Sequence, residues 1–130
     1  MASKRKPPKP TPAELEILEV LWTLGPSTVR AVHEALLKRR PMGYTGVLKL
    51  MQIMAEKGLV DRNEEQRAHV YKPRVPQQET RQTLLDHLVD RAFGGSAAQL
   101  VMQAFSSKKV SREELAEIRR ILDEFEGGAQ

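Results

Sequence analysis

The stretch from Met42 to Val60 constrains the fold of this 130-residue chain most, because its hydrophobic pattern has the period of a helix. Its apolar residues recur three and four positions apart and therefore share one helical face: they are Val47, Leu50, Met51 and Met54. Its polar residues share the opposite face: they are Thr45, Lys49, Gln52 and Glu56. Gly58 follows where a helix stop is expected. The stretch predicts a helix of about three to four turns, buried along one side only.

A first helix is predicted well before this stretch. It begins at a capping box, in which Thr11 and Glu14 bond each other's backbone and Pro12 occupies the first helical position, and it ends at Gly25. We expect its inner face to be apolar and its glutamates to face water. The inner residues are Leu15, Leu18, Leu21 and Trp22, and the glutamates are Glu14, Glu16 and Glu19.

A second amphipathic helix follows, with Ser27 as its expected N-cap. Its apolar residues recur at helical spacing: they are Val29, Val32, Leu36 and Leu37. This helix is expected to end near Arg40, because Pro41 disfavours a helical conformation at the residue before it. A short loop through Gly43 then leads into the helix described first.

After Gly58 the pattern changes from helix to strand. Residues 59–62 and 67–72 are rich in side chains that favour strands, and they flank a polar turn at residues 63–66. Two short strands around a polar tip predict a β-hairpin. Three helices followed by a hairpin is the order of a winged helix-turn-helix domain, in which the third helix is the recognition helix and the hairpin is the wing. We assign this domain to residues 11–75.

The remainder, residues 76–126, is predicted to form three more helices. The first spans residues 77–93, and the other two begin at capping boxes that start with Ser96 and Ser111. Three short helices bury too little surface to be stable alone, so a homodimerisation domain is expected; the alternative is that they pack back onto the N-terminal domain. The candidate dimerisation residues are Leu84, Leu88, Leu100, Phe105, Leu115, Ile118, Leu122 and Phe125.

Charge and composition restrict the function. Residues 1–75 hold 14 basic and 8 acidic residues, whereas residues 76–130 hold 7 and 9, so a basic head that suits a polyanion precedes a mildly acidic remainder. Residues 1–10 are predicted to form a disordered basic arm, which either contacts DNA or acts as a solubilising tail. With neither a membrane-length apolar run nor an apolar N-terminal leader, the chain is expected to be cytoplasmic and not inserted in a membrane.

The polar face of the third helix carries the candidate base contacts. Lys49 suits the O6 and N7 atoms of guanine or a phosphate, and Thr45 and Gln52 can bond base edges or backbone oxygens. Tyr44, at the start of the helix, is better placed for a phosphate. Gly46 lies in the first turn of this helix, where glycine lowers helix stability and offers no side chain for a contact; it either removes one possible contact or lets the backbone approach DNA closely.

Candidate phosphate contacts come from the second helix, the loop after it and the wing. Each residue taken singly also fits a solvated surface position, but together on one basic domain they favour binding to double-stranded DNA. These residues are Ser27, Thr28, Arg30, Arg40, Arg62, Arg67 and His69.

The sequence argues against an enzyme. The chain has no cysteine, which excludes disulfides, thiolate catalysis and cysteine metal sites. His33 and Glu34 begin like a zinc-protease motif, but Leu37 stands where the second histidine is required. Neither a glycine-rich phosphate loop nor a serine nucleophile elbow is present. We therefore predict neither a catalytic site nor a cofactor or metal ion.

Several short motifs, in this order and spacing, resemble the penicillinase-repressor family (BlaI/MecI/CopY). The resemblance covers about residues 11–125. The motifs are Glu14-x-x-Ile17-Leu18-x-x-Leu21-Trp22, Ser27-Thr28-Val29, Tyr44-Thr45, Glu56-Lys57-Gly58-Leu59-Val60, Tyr71-x-Pro73, Phe93-Gly94-Gly95 and Ser111-x-Glu113-Glu114-Leu115-x-Glu117-Ile118.

This resemblance implies a dimeric transcriptional repressor that binds a palindromic operator through two winged heads. In the best-known members, repression is relieved when a membrane metallopeptidase sensor leads to cleavage of an Asn–Phe bond in the C-terminal domain. The corresponding pair here is Gln103 and Ala104, a departure that bears directly on that cleavage. The cysteine cluster of the copper-responsive branch is absent, which rules out copper sensing by that route. The alternative function is a winged-helix module for protein–protein assembly, which would more often expose apolar residues on the third helix.

Overall fold

The computed structural model describes residues 8–107 and 109–128; most of the predicted basic arm lies outside them. The helices and strands follow each other as α1 Pro12–Leu24, β1 Ser27–Thr28, α2 Val29–Leu36, α3 Tyr44–Lys57, β2 Val60–Asn63, β3 Val70–Pro73, α4 Gln77–Ala92, α5 Ala97–Ser107 and α6 Arg112–Gly128. The predicted mainly helical fold, with three helices, a hairpin and three further helices, is confirmed.

The chain divides into two compact units, one ending at Leu85 and the other beginning at Asp86. The sequence placed this division after residue 75, whereas the first turns of α4 belong to the first unit. The burial of Thr80 explains the difference. At the end of the predicted domain, the indole Nε1 of Trp22 donates to the carbonyl oxygen of Val75 at 3.1 Å. These contacts continue the packing of the head past the end of β3.

The capping box predicted for α1 is confirmed. Oγ1 of Thr11 accepts from the amide of Glu14 at 3.2 Å, and Oε1 of Glu14 accepts from the amide of Thr11 at 2.9 Å. The expectation that Glu14 faces water is wrong, since the residue is only 1% exposed. Its second oxygen, Oε2, lies 2.8 Å from Nζ of Lys57 at the end of α3. This ion pair replaces the water that the carboxylate loses on burial.

Ser27 and Thr28 form a two-residue strand that the sequence did not reveal. In β1, Ser27 lies opposite Tyr71 and Thr28 opposite Val70, so the sheet has the order β1-β3-β2. Ser27 was expected to cap α2, but the cap is Thr28, whose Oγ1 accepts from the amide of Ala31 at 3.2 Å. α2 also ends at Leu36, earlier than predicted, because the chain turns there through a bond from the Arg39 amide to the Leu36 carbonyl.

The periodicity of α3 is confirmed. Val47, Met51 and Met54 are fully buried, and Leu50 packs against the same core, whereas the polar residues of the opposite face are exposed. Gly58 ends the helix at φ +87°, a left-handed conformation that glycine adopts without steric cost. The core that α3 packs into consists of Ile17, Leu18, Val20, Leu21, Val29, Val32, Leu36, Val47, Met51, Met54, Leu59, Val60 and Tyr71.

The second unit contains the end of α4 together with α5 and α6. The predicted caps form, since Oγ of Ser96 accepts from the amide of Gln99 at 3.1 Å and Oγ of Ser111 accepts from the amide of Glu114 at 3.0 Å. None of the described residues of α5 and α6 is buried. Throughout residues 8–107 and 109–128, no helix combines the length and the apolar character needed to cross a membrane.

Candidate nucleic-acid interface

The exposed side of α3, the start of α2 and the wing enclose one groove. Its lining comes from the five elements β1, α2, α3, β2 and β3 and from the loop at the tip of the hairpin. This groove collects seven of the eleven residues that the sequence proposed for DNA binding: Thr28, Arg30, Tyr44, Gln52, Arg62, Arg67 and His69. Leu48 and the buried Tyr71 form its apolar floor.

A second groove runs along the side of α3 that faces β2. Lys49 lies in it, and Gln52 and Arg62 line this groove as well as the first. Acidic side chains accompany them here, among them Glu56 and Asp61. Lys49 therefore lies on the side of α3 that faces β2, about one turn after the exposed Thr45.

Two of the proposed contacts lie elsewhere. Ser27 is only 8% exposed, and its hydroxyl donates to the carbonyl oxygen of Gly25 at 2.8 Å, so a phosphate would have to compete with that bond. Arg40 lies outside both linings: its Nη2 is 2.5 Å from Oε1 of Glu16 on α1. That ion pair ties the loop before α3 to the first helix.

Some of the basic side chains on this surface already form an ion pair with a carboxylate, and others do not. Nη2 of Arg62 lies 2.6 Å from Oε2 of Glu64, and Nε of Arg30 lies 3.4 Å from Oε2 of Glu34. The pKa of the Arg62 guanidinium is raised by its hydrogen bond with Tyr71 and by that with Glu64. Lys49 and Arg67 are exposed and have no acidic partner among residues 8–107 and 109–128. These two are the cations most available to a phosphate.

Gly46 lies in the first turns of α3 at an exposed position. A Cβ added there would meet only Cγ of Met42, at the ordinary contact distance of 3.6 Å. The fold therefore does not require glycine at this position.

We expect Gly46→Ala to raise the free energy of unfolding by about 0.5–1 kcal/mol, because alanine loses less backbone entropy than glycine when a helix forms. Urea denaturation of both proteins measures the change. An unchanged or lower midpoint would contradict it.

His33 is a residue of this surface that the sequence did not assign. Its Nε2 lies 2.8 Å from the carbonyl oxygen of Met42, and its ring meets the ring of Tyr44 at a centroid distance of 5.8 Å. No local sequence pattern predicts these contacts, because Met42 and Tyr44 are 9 and 11 positions away and belong to the loop and to the next helix.

The chain is similar in sequence to known transcriptional repressors. The family model described as Penicillinase repressor matches residues 10–124. The transcriptional regulator BlaI of Mycobacterium tuberculosis is 34% identical over 116 residues, which are 88% of this chain and 83% of that protein. The penicillinase repressor of Bacillus licheniformis is 23% identical, over 92% of this chain and 94% of that protein.

Two solved structures show the fold of the first unit. The DNA-binding domain of the repressor BlaI superposes with a TM-score of 0.51 at 24% identity, covering 58% of this chain and 92% of that domain. Monomeric BlaI of Bacillus licheniformis, determined in complex with the blaP half-operator, gives a TM-score of 0.50 at 24% identity and covers 57% of this chain. The predicted winged-helix fold is confirmed.

Proposed function

This chain belongs to the penicillinase repressor family, and from that premise we propose that it is a homodimeric transcriptional repressor acting on a palindromic operator. The family consists of DNA-binding repressors rather than enzymes, so the prediction of a non-enzymatic protein is confirmed. The single observation that carries the proposal for this chain is the groove that gathers Thr28, Tyr44, Gln52 and Arg67 beside the exposed face of α3.

The arrangement suits major-groove binding. An α-helix fits the major groove of B-DNA, where each base pair presents a distinct set of donors and acceptors. With α3 inserted, Thr45, Lys49 and Gln52 face base edges. Thr28, Arg30 and Tyr44 on one flank, and Arg67 and His69 on the wing, then contact phosphates, which fix the register. Arg30 and Arg62 exchange a glutamate for a phosphate when they bind, so they contribute less net attraction than Lys49 and Arg67.

The homodimer rests on the exposed apolar residues of the second unit. Leu88, Phe105, Leu122 and Phe125 are exposed to between 44% and 77% in the single chain, and large side chains of this kind mark interaction surfaces. A second copy supplies an identical surface, and a two-fold dimer explains recognition of a palindrome by two heads. Leu115 and Ile118, in the first half of the apolar stripe of α6, are partly buried, as are Leu100 on α5 and, within the first unit, Leu84 on α4; we propose that these four also contribute to dimerisation.

Relief of repression by proteolysis is a further part of the proposal, with a membrane metallopeptidase as the sensor and the cytoplasm as the location of the repressor. Gln103 and Ala104 are exposed, but they lie inside α5. A helix must unwind locally before a protease can bind its backbone in an extended form. Incubating the chain with a candidate metallopeptidase and locating the cut by mass spectrometry tests this part, and cleavage elsewhere or not at all argues against it.

Salt dependence of DNA binding tests the repressor function. The probe is a duplex that the full chain enriches from a random-sequence library. Because each neutralised phosphate releases counterions, we expect the slope of log affinity against log salt to become shallower by about 0.9 in Lys49→Ala or Arg67→Ala if each contacts one phosphate. Fluorescence anisotropy over a salt series measures the slope.

Arg81→Ala is the matched control, since Arg81 is an exposed cation on α4 outside both grooves; its slope should equal that of the wild type. Failure to enrich any duplex, at low salt as well, would overturn the proposed function. Equal slopes in all four proteins would overturn the assignment of the two cations.

A further inference from the structure

We propose that His33 is a positioning residue that aims the hydroxyl of Tyr44 at the DNA backbone. This inference rests on the proposed function and concerns how one phosphate contact is prepared before DNA arrives. Its basis is that a single side chain of α2 holds both the backbone just before α3 and the first side chain of α3.

The start of α3 needs such support from elsewhere. Gly43 is its N-cap and offers no side chain to bond the free amides of the first turn. His33 does not bond those amides, but it holds the backbone just before them, since its Nε2 lies 2.8 Å from the Met42 carbonyl oxygen. A carbonyl oxygen only accepts, so this nitrogen is the protonated one and donates. The bond fixes the chain one residue before the cap.

The contact between His33 and Tyr44 restrains the orientation of the Tyr44 ring. The rings of His33 and Tyr44 meet edge to face, with an interplanar angle of 84° and centroids 5.8 Å apart. This is one of the geometries that aromatic pairs prefer. Tyr44 is 47% exposed and also lines the groove beside Thr28 and Arg30. The ring of Tyr44 therefore contacts His33, while the same side chain lines the first groove.

The functional consequence is a lower ordering cost. A tyrosine ring that rotates freely must be immobilised when its hydroxyl bonds a phosphate, and that loss of side-chain freedom weakens binding. A ring already restrained by His33 loses less. His33 lies outside both grooves, so it acts on this phosphate contact through the two residues that it holds, Met42 and Tyr44.

A double-mutant cycle in DNA affinity tests the inference, using the full chain and the duplex that the wild type enriches from a random library. We expect His33→Ala to weaken binding about fivefold when Tyr44 is present, the typical effect of one hydrogen bond. Tyr44→Phe keeps the ring contact and removes only the hydroxyl. In that background we expect His33→Ala to weaken binding less than about twofold, because there is no hydroxyl left to aim.

Equal effects of His33→Ala in the two backgrounds would overturn the inference, since a purely structural role would lower affinity by the same factor in both. His33→Gln separates the two contacts, because it can donate to Met42 but has no ring. We expect the thermal midpoint of His33→Gln to stay close to that of the wild type and its DNA affinity to remain reduced. If His33→Ala fails to fold, the double-mutant cycle can be repeated with His33→Gln. Full recovery of affinity in His33→Gln would also overturn the role of the ring. If the wild type enriches no duplex, the proposed function fails instead.

Discussion

Replacing Lys57 with methionine is expected to lower the free energy of unfolding by about 2–3 kcal/mol, because it leaves a buried carboxylate without its cation. Glu14 is 1% exposed, and its Oε2 lies 2.8 Å from Nζ of Lys57. The side chain of Lys57 is 34% exposed, so the ammonium can recover water when the pair breaks while the carboxylate cannot. The cost of the substitution therefore falls on Glu14.

The same substitution should reverse the pH dependence of stability. Burial acts to raise the pKa of Glu14, but the hydrogen bonds from Lys57 and from the Thr11 amide outweigh it, and the pKa lies below its ordinary value of 4.5. In the wild type this carboxylate therefore stabilises the fold above pH 4.5, and the contribution is lost as the pH falls through the folded-state pKa. Without Lys57, burial is left opposed by Thr11 alone, so we expect the pKa to rise above the ordinary value. The variant then loses stability as the pH rises towards neutrality.

Urea denaturation at about pH 3.5, about pH 5 and about pH 7.5 measures both effects, because the wild type loses this contribution below pH 4.5 and the variant loses stability between the two higher values. Lys38→Met is the matched control, because Lys38 is exposed and has no ion pair within the described part of the chain; its stability should stay close to that of the wild type. Glu14→Gln combined with Lys57→Met removes both charges and should restore most of the loss. A double variant no more stable than Lys57→Met alone would show that the cost does not come from the unpaired carboxylate.

The ion pair between Glu14 and Lys57 is a feature that local sequence patterns could not predict. Periodicity identifies the apolar face of α1 and the polar stripe of α3, and capping boxes identify where α1 and α6 begin, because these features depend on residues within one or two turns. Glu14 satisfies the capping pattern and so was placed in water with the other glutamates of α1. Its burial depends on Lys57, which is 43 positions away, and no local pattern contains that information.

The candidate site shows the same limit. Residues proposed from the face of α3 and from the wing lie where expected, since helical spacing and hairpin order determine their side of the domain. Ser27 and Arg40 were proposed from their residue types and from their places beside the second helix and before the third. Ser27 is buried because β1 pairs with β3, and Arg40 is drawn to Glu16, 24 positions earlier. His33 was overlooked for a related reason, as its contacts depend on the angle between α2 and α3.

The second large effect is expected at the proposed dimer interface, from Leu122→Asp. Leu122 is 56% exposed in the single chain and belongs to the stripe that we propose meets its own copy. An aspartate in that position loses its water when two chains associate, and the two-fold axis brings a second aspartate close to it. We expect the variant to sediment as a monomer of 14.7 kDa at concentrations where the wild type is a dimer.

Loss of the dimer in Leu122→Asp should also lower operator affinity. Two linked heads bind a palindrome more tightly than one, by a factor of about a hundred or more when the linkage geometry is favourable. Ala116→Asp is the matched control, because it adds the same charge to an exposed position of α6. Ala116 lies about 140° around the helix from the middle of the apolar stripe. This variant should keep the sedimenting mass and the operator affinity of the wild type. The salt slope measured per bound head should stay the same in Leu122→Asp, since the phosphate contacts of each winged domain are intact. An unchanged dimer would refute this interface, whereas a monomer that keeps wild-type affinity would show that dimerisation does not strengthen operator binding.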